Sequence, residues 1–383
     1  MGDNLPAVPD RVLALKTPPF PDKYADPLGT DSKLDDALAK AIDAGPGKSW
    51  RVAFAIVALN PDGTRPMAQF RGNEVHYGAS MIKVAALYSA FELRKVVKAV
   101  AKELGAAATQ KDLLPQIARY LDPLIMAKAG TMSAFKAVTG EHGDLGKVHG
   151  CPQYANVFDV LSASPDPGFT VKLSAAFENH IDQMIKISDN NHAAETIHGS
   201  GYGYLNGALA AAGLLEASSF TGIWLAGDYA DPGYANKYPY FRIDSVNDKR
   251  VAQATSVIQF ARMYTLMADS KLVDAASSKE MLEYLHRAVT YKHEVWIDRT
   301  VDDKGQPQGG LDSSEFTVTH NKLGVGPLKT GASVYSEASI LQHNDTGRRF
   351  VVVWENLLLD NTVWAPVAQV IRRTIRGYLG LTP

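Results

Sequence analysis

Three short segments of this chain carry residue types that can transfer an acyl group if they meet in one cleft. They are Ser80-Met81-Ile82-Lys83, Ser188-Asp189-Asn190 and Lys329-Thr330-Gly331. A serine hydroxyl becomes a good nucleophile when a nearby base removes its proton, and a neutral lysine amine can serve as that base. The serine-lysine spacing alone is weak evidence, since it recurs at 133–136. The specificity lies in finding all three segments in this order.

The sequence around Ser80 favours it over Ser133 as the nucleophile. A predicted strand pair precedes Ser80, and a long helical pattern begins there, SMIKVAALYSAFELRKVVKAV. The first turn of a helix offers unpaired backbone N–H groups and the positive end of the dipole. Lys83 lies one turn further on the same helix face, so we expect its amine to reach the Ser80 hydroxyl. No predicted strand precedes Ser133.

These motifs, with the context GASMIKVAALYSAFEL, give the chain a resemblance to a known superfamily. The chain resembles the serine β-lactamases and penicillin-binding proteins, and is most similar to the class A branch. The helical stretch ATSVIQFARMYTLMADSKLV, residues 254–273, is also similar, and the resemblance covers roughly 34–383. It implies an α/β fold of serine β-lactamase type, in which helices flank an antiparallel sheet and an all-helical lobe is inserted.

The resemblance implies roles for the first two segments. Ser80 would be the nucleophile and Lys83 its base, which requires burial or a second cation to favour the neutral amine. Ser188 would relay a proton to the leaving nitrogen. Asn190 would hold Lys83 and donate to a substrate amide carbonyl. Two simpler interpretations stay open: Ser188 and Asn190 form only a helix cap, or Ser80 and Lys83 are an inert remnant.

The resemblance also implies roles for the third segment. Lys329 would lie across the cleft as the second cation and, with Thr330, bind a substrate carboxylate. Gly331 would let the substrate lie against a strand. The backbone N–H groups of Ser80 and Ala332 would form the oxyanion hole. The alternative is that Lys329 is an ordinary exposed lysine at the end of a strand.

Several features depart from the class A pattern. The E-x-x-L-N motif that supplies the deacylating glutamate is missing from residues 191–328. Asp228 and Asp231 lie near the expected position and are candidates for that role, although either one is also an ordinary acid of a surface loop. Both spacings between the motifs are longer than in class A enzymes, and the strand ASILQH carries no arginine. We therefore expect slow hydrolysis of an acyl-enzyme and weaker β-lactam resistance than the motifs alone suggest.

The composition excludes several classes of protein. The 383 residues carry a net charge of −2 and one cysteine, Cys151, so neither a nucleic-acid partner nor an intrachain disulfide is predicted. No stretch is apolar enough for a membrane span. His192, Glu195 and His198 do not match a metal-binding spacing, and we predict no metal or cofactor. The start has no signal-peptide pattern, which predicts a cytoplasmic protein, or a periplasmic or secreted one if a targeting peptide was removed.

The predicted elements divide the chain into three parts. Residues 1–30 are rich in proline and read as an extended surface arm. Residues 31–95 and 250–383 combine two strands and a helix from one end of the chain with three strands and a helix from the other, which predicts an α/β lobe. Residues 96–249 are predicted to be a mostly helical lobe. Its aromatic segment, 221–245, forms either a pocket wall or a loop that packs on the body.

The sequence favours a serine hydrolase that works through a covalent acyl-enzyme on a small-molecule or peptide substrate. Hydrolysis of β-lactam amides is the leading expectation. The alternatives are an esterase, a D-alanyl peptidase or penicillin-binding-type acylase with slow deacylation, and a sensor that binds β-lactams without hydrolysing them. The oligomeric state and the natural substrate stay open.

Overall fold

The computed structural model describes residues 9–105, 109–136, 150–162, 169–227, 241–290, 311–358 and 364–382. The helices in these ranges are α1 (Asp10–Leu13), α2 (Ser32–Asp43), α3 (Lys83–Leu104), α4 (Gln110–Ala129), α5 (Ser133–Lys136), α6 (Tyr154–Val157), α7 (Ala175–Lys186), α8 (Asn190–Ser200), α9 (Tyr202–Ala211), α10 (Val257–Ala268), α11 (Ala275–Thr290) and α12 (Trp364–Leu379). A 3-10 helix, Ala79–Ile82, directly precedes α3. Among the helices described, none has both the length and the apolar character that a membrane crossing needs.

The strands in the same ranges are mostly short, apart from three long ones near the end of the chain. They are β1 (Ala53–Leu59), β2 (Met67–Phe70), β3 (Phe158–Ser162), β4 (Phe169–Leu173), β5 (Leu215–Glu216), β6 (Thr221–Gly222), β7 (Trp224–Leu225), β8 (Ile243–Ser245), β9 (Lys249–Val251), β10 (Gln253–Ala254), β11 (Phe316–Pro327), β12 (Ser333–His343) and β13 (Arg349–Leu358).

A five-stranded antiparallel sheet forms the centre of the fold. Its order is β11-β12-β13-β1-β2, so strands from both ends of the chain meet at the β1–β13 pair. Phe54 lies opposite Trp354 in that pair. The prediction of a mixed α/β fold, with an antiparallel sheet flanked by helices, is confirmed.

The two faces of the sheet pack against different helices because successive side chains of a strand point to opposite faces. Phe54 and Ile56 on β1 belong to an apolar cluster with residues of α2 and α12. Ala55 and Val57 belong to the other cluster, which continues through α3 and α10 into the helices of the middle of the chain. Helix α3 therefore lies in the apolar core, and Lys83 begins it.

Two details differ from the expectations for the fold. The pattern of residues 67–77 predicts the second strand, but this strand ends at Phe70, since Arg71 has a φ of 54° and leaves the extended conformation. The middle of the chain also holds four two-stranded antiparallel pairs beside its helices: β3–β4, β5–β6, β7–β10 and β8–β9. Strands of two or three residues present no alternating pattern, so hydrophobic periodicity does not detect them.

The arm before α2 is anchored more firmly than a loose surface segment. Val12 is 1% exposed. The Phe20 ring stacks on Tyr204 of α9 with ring centroids 5.6 Å apart. The Tyr24 hydroxyl donates to Glu92 on α3 and accepts from the Val273 backbone N–H at 2.9 Å. The arm thus joins the helices of the middle of the chain to the segment before α11.

The aromatic segment 221–245 is described only at its two ends. Trp224 and Phe241 are fully buried, and the indole Nε1–H of Trp224 donates to the Phe241 carbonyl at 2.8 Å. For these two residues, packing onto the body is the observed arrangement. Residues 228–240 lie outside the described part of the chain, and the candidate acids Asp228 and Asp231 are among them.

Candidate active site

Ser80 lies on the 3-10 helix between β2 and α3 and is half-buried. Two contacts fix the segment that leads to it. The backbones of His76 and Thr255 exchange hydrogen bonds of 2.8 and 2.9 Å, and the Tyr77 N–H donates to the Asn247 side chain at 2.7 Å. Ala79 has a φ of 49°, a conformation that costs a residue other than glycine some energy. The serine is therefore presented on a tightly held turn.

Lys83 is the first residue of α3 and is fully buried. Its Nζ donates to the Ser188 carbonyl at 2.6 Å, to Asn190 Oδ1 at 2.8 Å and to Ser188 Oγ at 3.4 Å. The structure therefore brings Lys83 to the second motif, and the direct contact between Lys83 and Ser80 stays a prediction.

The segment Ser188-Asp189-Asn190 connects α7 to α8. Asp189 is the helix cap: its carboxylate accepts the His192 N–H at 2.9 Å. Ser188 has a φ of 61°, which turns the chain so that its own side chain and that of Asn190 both reach Lys83. Asp189 thus caps the helix, whereas the side chains of Ser188 and Asn190 contact Lys83.

A second buried lysine, which the sequence analysis missed, completes this cluster. Lys322 on β11 is fully buried, and its Nζ donates to Ser188 Oγ at 2.9 Å and to the Leu323 carbonyl at 3.2 Å. The Ser188 hydroxyl therefore lies between the ammonium positions of Lys83 and Lys322. The available signal was a lysine followed two residues later by glycine inside a strand pattern, Lys322-Leu323-Gly324.

Gly324 allows β11 to approach the 3-10 helix of Ser80. A Cβ at this position would lie 2.3 Å from the Gly78 carbonyl oxygen, 2.6 Å from the Met81 nitrogen and 3.1 Å from the Ser80 nitrogen. These distances leave no room for a side chain against the backbone. Glycine at 324 is thus the condition for the sheet edge to lie beside the candidate nucleophile.

Lys329, Thr330 and Gly331 occupy the turn between β11 and β12, so their expected place on a strand is wrong. Gly331 has a φ of 85°, and its N–H donates to the Leu328 carbonyl at 2.9 Å. The φ value explains this glycine, because the left-handed region suits a tight turn. Lys329 Nζ donates to the backbone carbonyls of Asp248 and Arg250, at 2.9 and 2.6 Å. The cation beside Ser188 is accordingly Lys322.

Ala332 is exposed beyond this turn, and Val325, which follows Gly324, lines the same cavity as Ser80. The Leu328 N–H donates to the Ala332 carbonyl at 2.8 Å. Pairs in an antiparallel ladder alternate, so the polar backbone groups of Val325 point away from β12. Among the described strands β11 lies at the edge of the sheet, so these groups face the side on which Gly324 approaches the Ser80 backbone.

A cavity of about 410 Å³ opens at Ser80. Tyr77, Asn190 and Val325 line it near the serine, and it extends toward the β8–β9 hairpin and Lys329. Burial, and to a smaller extent the neighbouring Asp248, raise the pKa of the Tyr77 hydroxyl to about 12. Tyr77 is therefore a neutral hydrogen-bond donor in this wall and does not serve as a base near pH 7.

Two weaker candidates from the sequence take no part in this cluster. Ser133 lies on α5 at a separate cavity of about 310 Å³. His192 contacts His180, with their Nδ1 atoms 2.8 Å apart. Within the described ranges, no group of three or more histidine, cysteine, aspartate or glutamate residues is arranged to hold a metal ion.

Comparisons with known proteins give likenesses to solved structures at low sequence identity. No family model matches the chain, and no curated protein matches it. Solved structures that resemble it include a β-lactamase from Chitinophaga pinensis (14% identity, 91% of this chain and 98% of that one, TM-score 0.45). PBP-A is similar at 15% identity over 94% and 100%, with a TM-score of 0.46. The TLA-1 extended-spectrum β-lactamase is similar at 11% over 92% and 99%, with a TM-score of 0.48.

Each of these three TM-scores lies below 0.5, and each identity is 15% or less. The contact that matters most is the Ser188 hydroxyl between two buried lysines, next to a cavity that opens at Ser80.

Proposed function

We propose that this protein is a serine hydrolase of the β-lactamase and penicillin-binding type, which forms a covalent acyl-enzyme on Ser80. The observation that carries the proposal is the position of Ser188 Oγ, 3.4 Å from Lys83 Nζ and 2.9 Å from Lys322 Nζ. In this mechanism one of the two buried lysines acts as a neutral amine and takes the Ser80 proton. We assign the neutral amine to Lys83.

In the first step Lys83 takes the Ser80 proton while Oγ attacks the substrate carbonyl carbon. The carbonyl oxygen becomes negatively charged. The backbone N–H groups of Ser80 and Val325 stabilise this oxyanion.

In the second step the carbon–nitrogen bond of the amide or lactam breaks. Lys322 donates to Ser188 Oγ, so the Ser188 hydroxyl hydrogen is directed away from Lys322 and toward the leaving nitrogen. Ser188 gives that hydrogen to the nitrogen and is reprotonated from Lys83. Lys83 is thereby returned to its neutral form, and the acyl group stays on Ser80.

Water must then attack the ester, and the described residues favour slow attack. Asp248 is the carboxylate among the described residues of the cavity wall, and it accepts the Lys329 N–H at 2.7 Å. This hydrogen bond already engages Oδ1 of the carboxylate with the β11–β12 turn. The second candidate function is therefore a penicillin-binding-type acylase that stays acylated, and the lifetime of the adduct separates it from a β-lactamase.

The test is intact-mass spectrometry over time with benzylpenicillin. The wild type should gain one adduct, mapped to Ser80, and Ser80→Ala should gain none. Lys83→Arg keeps a charge but does not release its proton at working pH, so acylation should slow about a thousandfold. Ser133→Ala is the control and should behave as the wild type. An adduct on Ser80→Ala, or a normal rate in Lys83→Arg, overturns the proposal.

A further inference from the structure

Positive side chains line the part of the cavity that lies beyond Ser80. Arg242 and Arg250 come from the two sides of the β8–β9 hairpin, and Lys329 comes from the β11–β12 turn. The Arg250 guanidinium donates to the Arg242 carbonyl at 2.8 Å, which holds the two arginines next to each other. Lys329 Nζ donates to the Arg250 carbonyl at 2.6 Å. Three cations from two elements are thus joined at one wall.

Fewer carboxylates than cations lie among the described residues of this wall. Asp248 is the carboxylate among the described lining residues. Its Oδ1 accepts the Lys329 N–H, and its Oδ2 lies 3.9 Å from Lys329 Nζ. Asp244 lies 3.9 Å from Arg250 Nε and is 92% exposed, so this pair is long and screened by water. The described wall therefore keeps a positive field toward the cavity.

The position of the leaving group in the proposed mechanism indicates which part of a substrate lies against this wall. In the proposed mechanism Ser188 protonates the leaving nitrogen, so the leaving group lies on the side of Ser188 and Lys322. Neither of these residues lines the cavity that holds the arginines. The acyl chain extends from the same carbonyl carbon in the other direction, away from Ser188 and into that cavity.

We propose that the acyl part of the substrate carries an anionic group, a carboxylate, which Arg242 and Arg250 bind. Arginine suits this role because its planar guanidinium donates two parallel hydrogen bonds to a carboxylate. Lys329 strengthens the field without direct contact. This inference rests on the proposed function and adds the chemical class of the acyl donor.

The test uses three penicillins that share one leaving group and differ in the charge of the acyl side chain. Carbenicillin carries a carboxylate on the side-chain carbon, benzylpenicillin a hydrogen and ampicillin an ammonium group. Acylation of Ser80 should be about tenfold faster with carbenicillin than with benzylpenicillin at low salt, and slowest with ampicillin. The preference should shrink in 0.5 M salt, at about a 4 Å Debye length, because these cations are exposed.

Variants locate the effect. In the double variant Arg242→Gln, Arg250→Gln the carbenicillin preference should fall to about twofold or less, because carbenicillin loses more of its acylation rate than benzylpenicillin does. Arg250→Lys should keep most of the preference because it keeps the charge. Arg119→Gln on α4 removes one positive charge far from the hairpin and should change nothing. A fall in both rates together would show that the arginines only support the hairpin, and overturns the proposal.

The outcomes also separate this proposal from the proposed function. Adducts on Ser80 at equal rates for the three penicillins overturn the anionic acyl group and leave the serine hydrolase standing. If no penicillin reacts, p-nitrophenyl monoadipate and p-nitrophenyl hexanoate provide the same charge comparison for ester substrates. Absence of an adduct on Ser80 with every one of these probes overturns both proposals.

Discussion

Two Lys-x-Gly segments follow one another on the β11–β12 hairpin, and their surroundings differ in nearly every respect. In 322–324 the lysine is fully buried and donates to Ser188 Oγ, and the glycine touches the backbone around Ser80. In 329–331 the lysine is exposed and bonds to two backbone carbonyls. Its glycine has no heavy atom within 4 Å of a Cβ position and serves the turn.

The difference teaches that the residue pattern alone does not define a site of this kind. A lysine ammonium contributes to chemistry where it is desolvated and held beside a reacting group. An exposed ammonium is surrounded by water, which screens its charge. Glycine likewise has two separate uses, close approach at 324 and a positive φ at 331.

The largest expected effect comes from removing each lysine in turn. Lys322→Ala should slow acylation by benzylpenicillin about a hundredfold or more, because the Ser188 hydroxyl loses the group that orients it. Lys329→Ala should slow it less than about fivefold. The measurement is the second-order rate of adduct formation by mass spectrometry. Equal losses in the two variants would contradict the distinction between the segments.

A second comparison adds one methyl group to each glycine. Gly324→Ala should lower the free energy of unfolding by about 3 kcal/mol or more, because the new Cβ meets backbone atoms that cannot move separately. It should also abolish acylation by displacing Ser80. Gly331→Ala should cost about 1 kcal/mol through its left-handed φ and keep acylation. Urea unfolding measures the stability and mass spectrometry the rate of adduct formation. Unchanged stability and acylation in Gly324→Ala would contradict the close contact at Gly324.

A third experiment measures how a buried carboxyl away from the reacting groups changes the stability of the fold with pH. Glu355 on β13 is fully buried beside His76, with an Oε2–Nδ1 distance of 3.4 Å, and burial raises its carboxyl pKa to about 7. The folded state therefore keeps a proton that the unfolded chain loses above its ordinary pKa. Stability should fall as the pH rises from about 4.5 to about 7, by up to about 3 kcal/mol.

Glu355→Gln should remove that slope because the amide does not titrate. The measurement is urea unfolding at pH 5 and pH 8. Glu195→Gln, on the exposed surface of α8, changes the net charge equally and should keep the slope of the wild type. Identical pH profiles for Glu355→Gln and the wild type would show that this carboxyl does not titrate in the expected range.

The elements that the sequence predicted well are those with long apolar patterns. Strands β1, β12 and β13 and helix α10 lie where the periodicity indicates, since each contributes to the core. The helical spacing over 33–44 and 177–187 likewise predicts α2 and α7. The chain segments around Ser80 and Ser188 were also located from the sequence. The residues that contact these two segments are determined by the strand pairing of the sheet and by the position of α3.

Lys322 was missed because a buried lysine has no local signature of its own. Lys322 is buried because β11 contacts the segment between α7 and α8. These elements are far apart in the sequence, so no local pattern predicts their contact. The complete Lys-Thr-Gly match at 329–331 was also more conspicuous than Lys-Leu-Gly at 322–324. The hydrogen bond from Lys322 Nζ to Ser188 Oγ shows which of the two segments lies beside Ser188.

The close contact at Gly324 has a consequence for how the sheet assembles. If β11 paired with β12 one residue out of register, Leu323 or Val325 would take the place of the glycine, and a branched side chain would meet the turn that carries Ser80. Such a misaligned hairpin could not close against the rest of the molecule. Gly324, which makes room for the Ser80 turn, therefore also favours the correct register of β11 on β12.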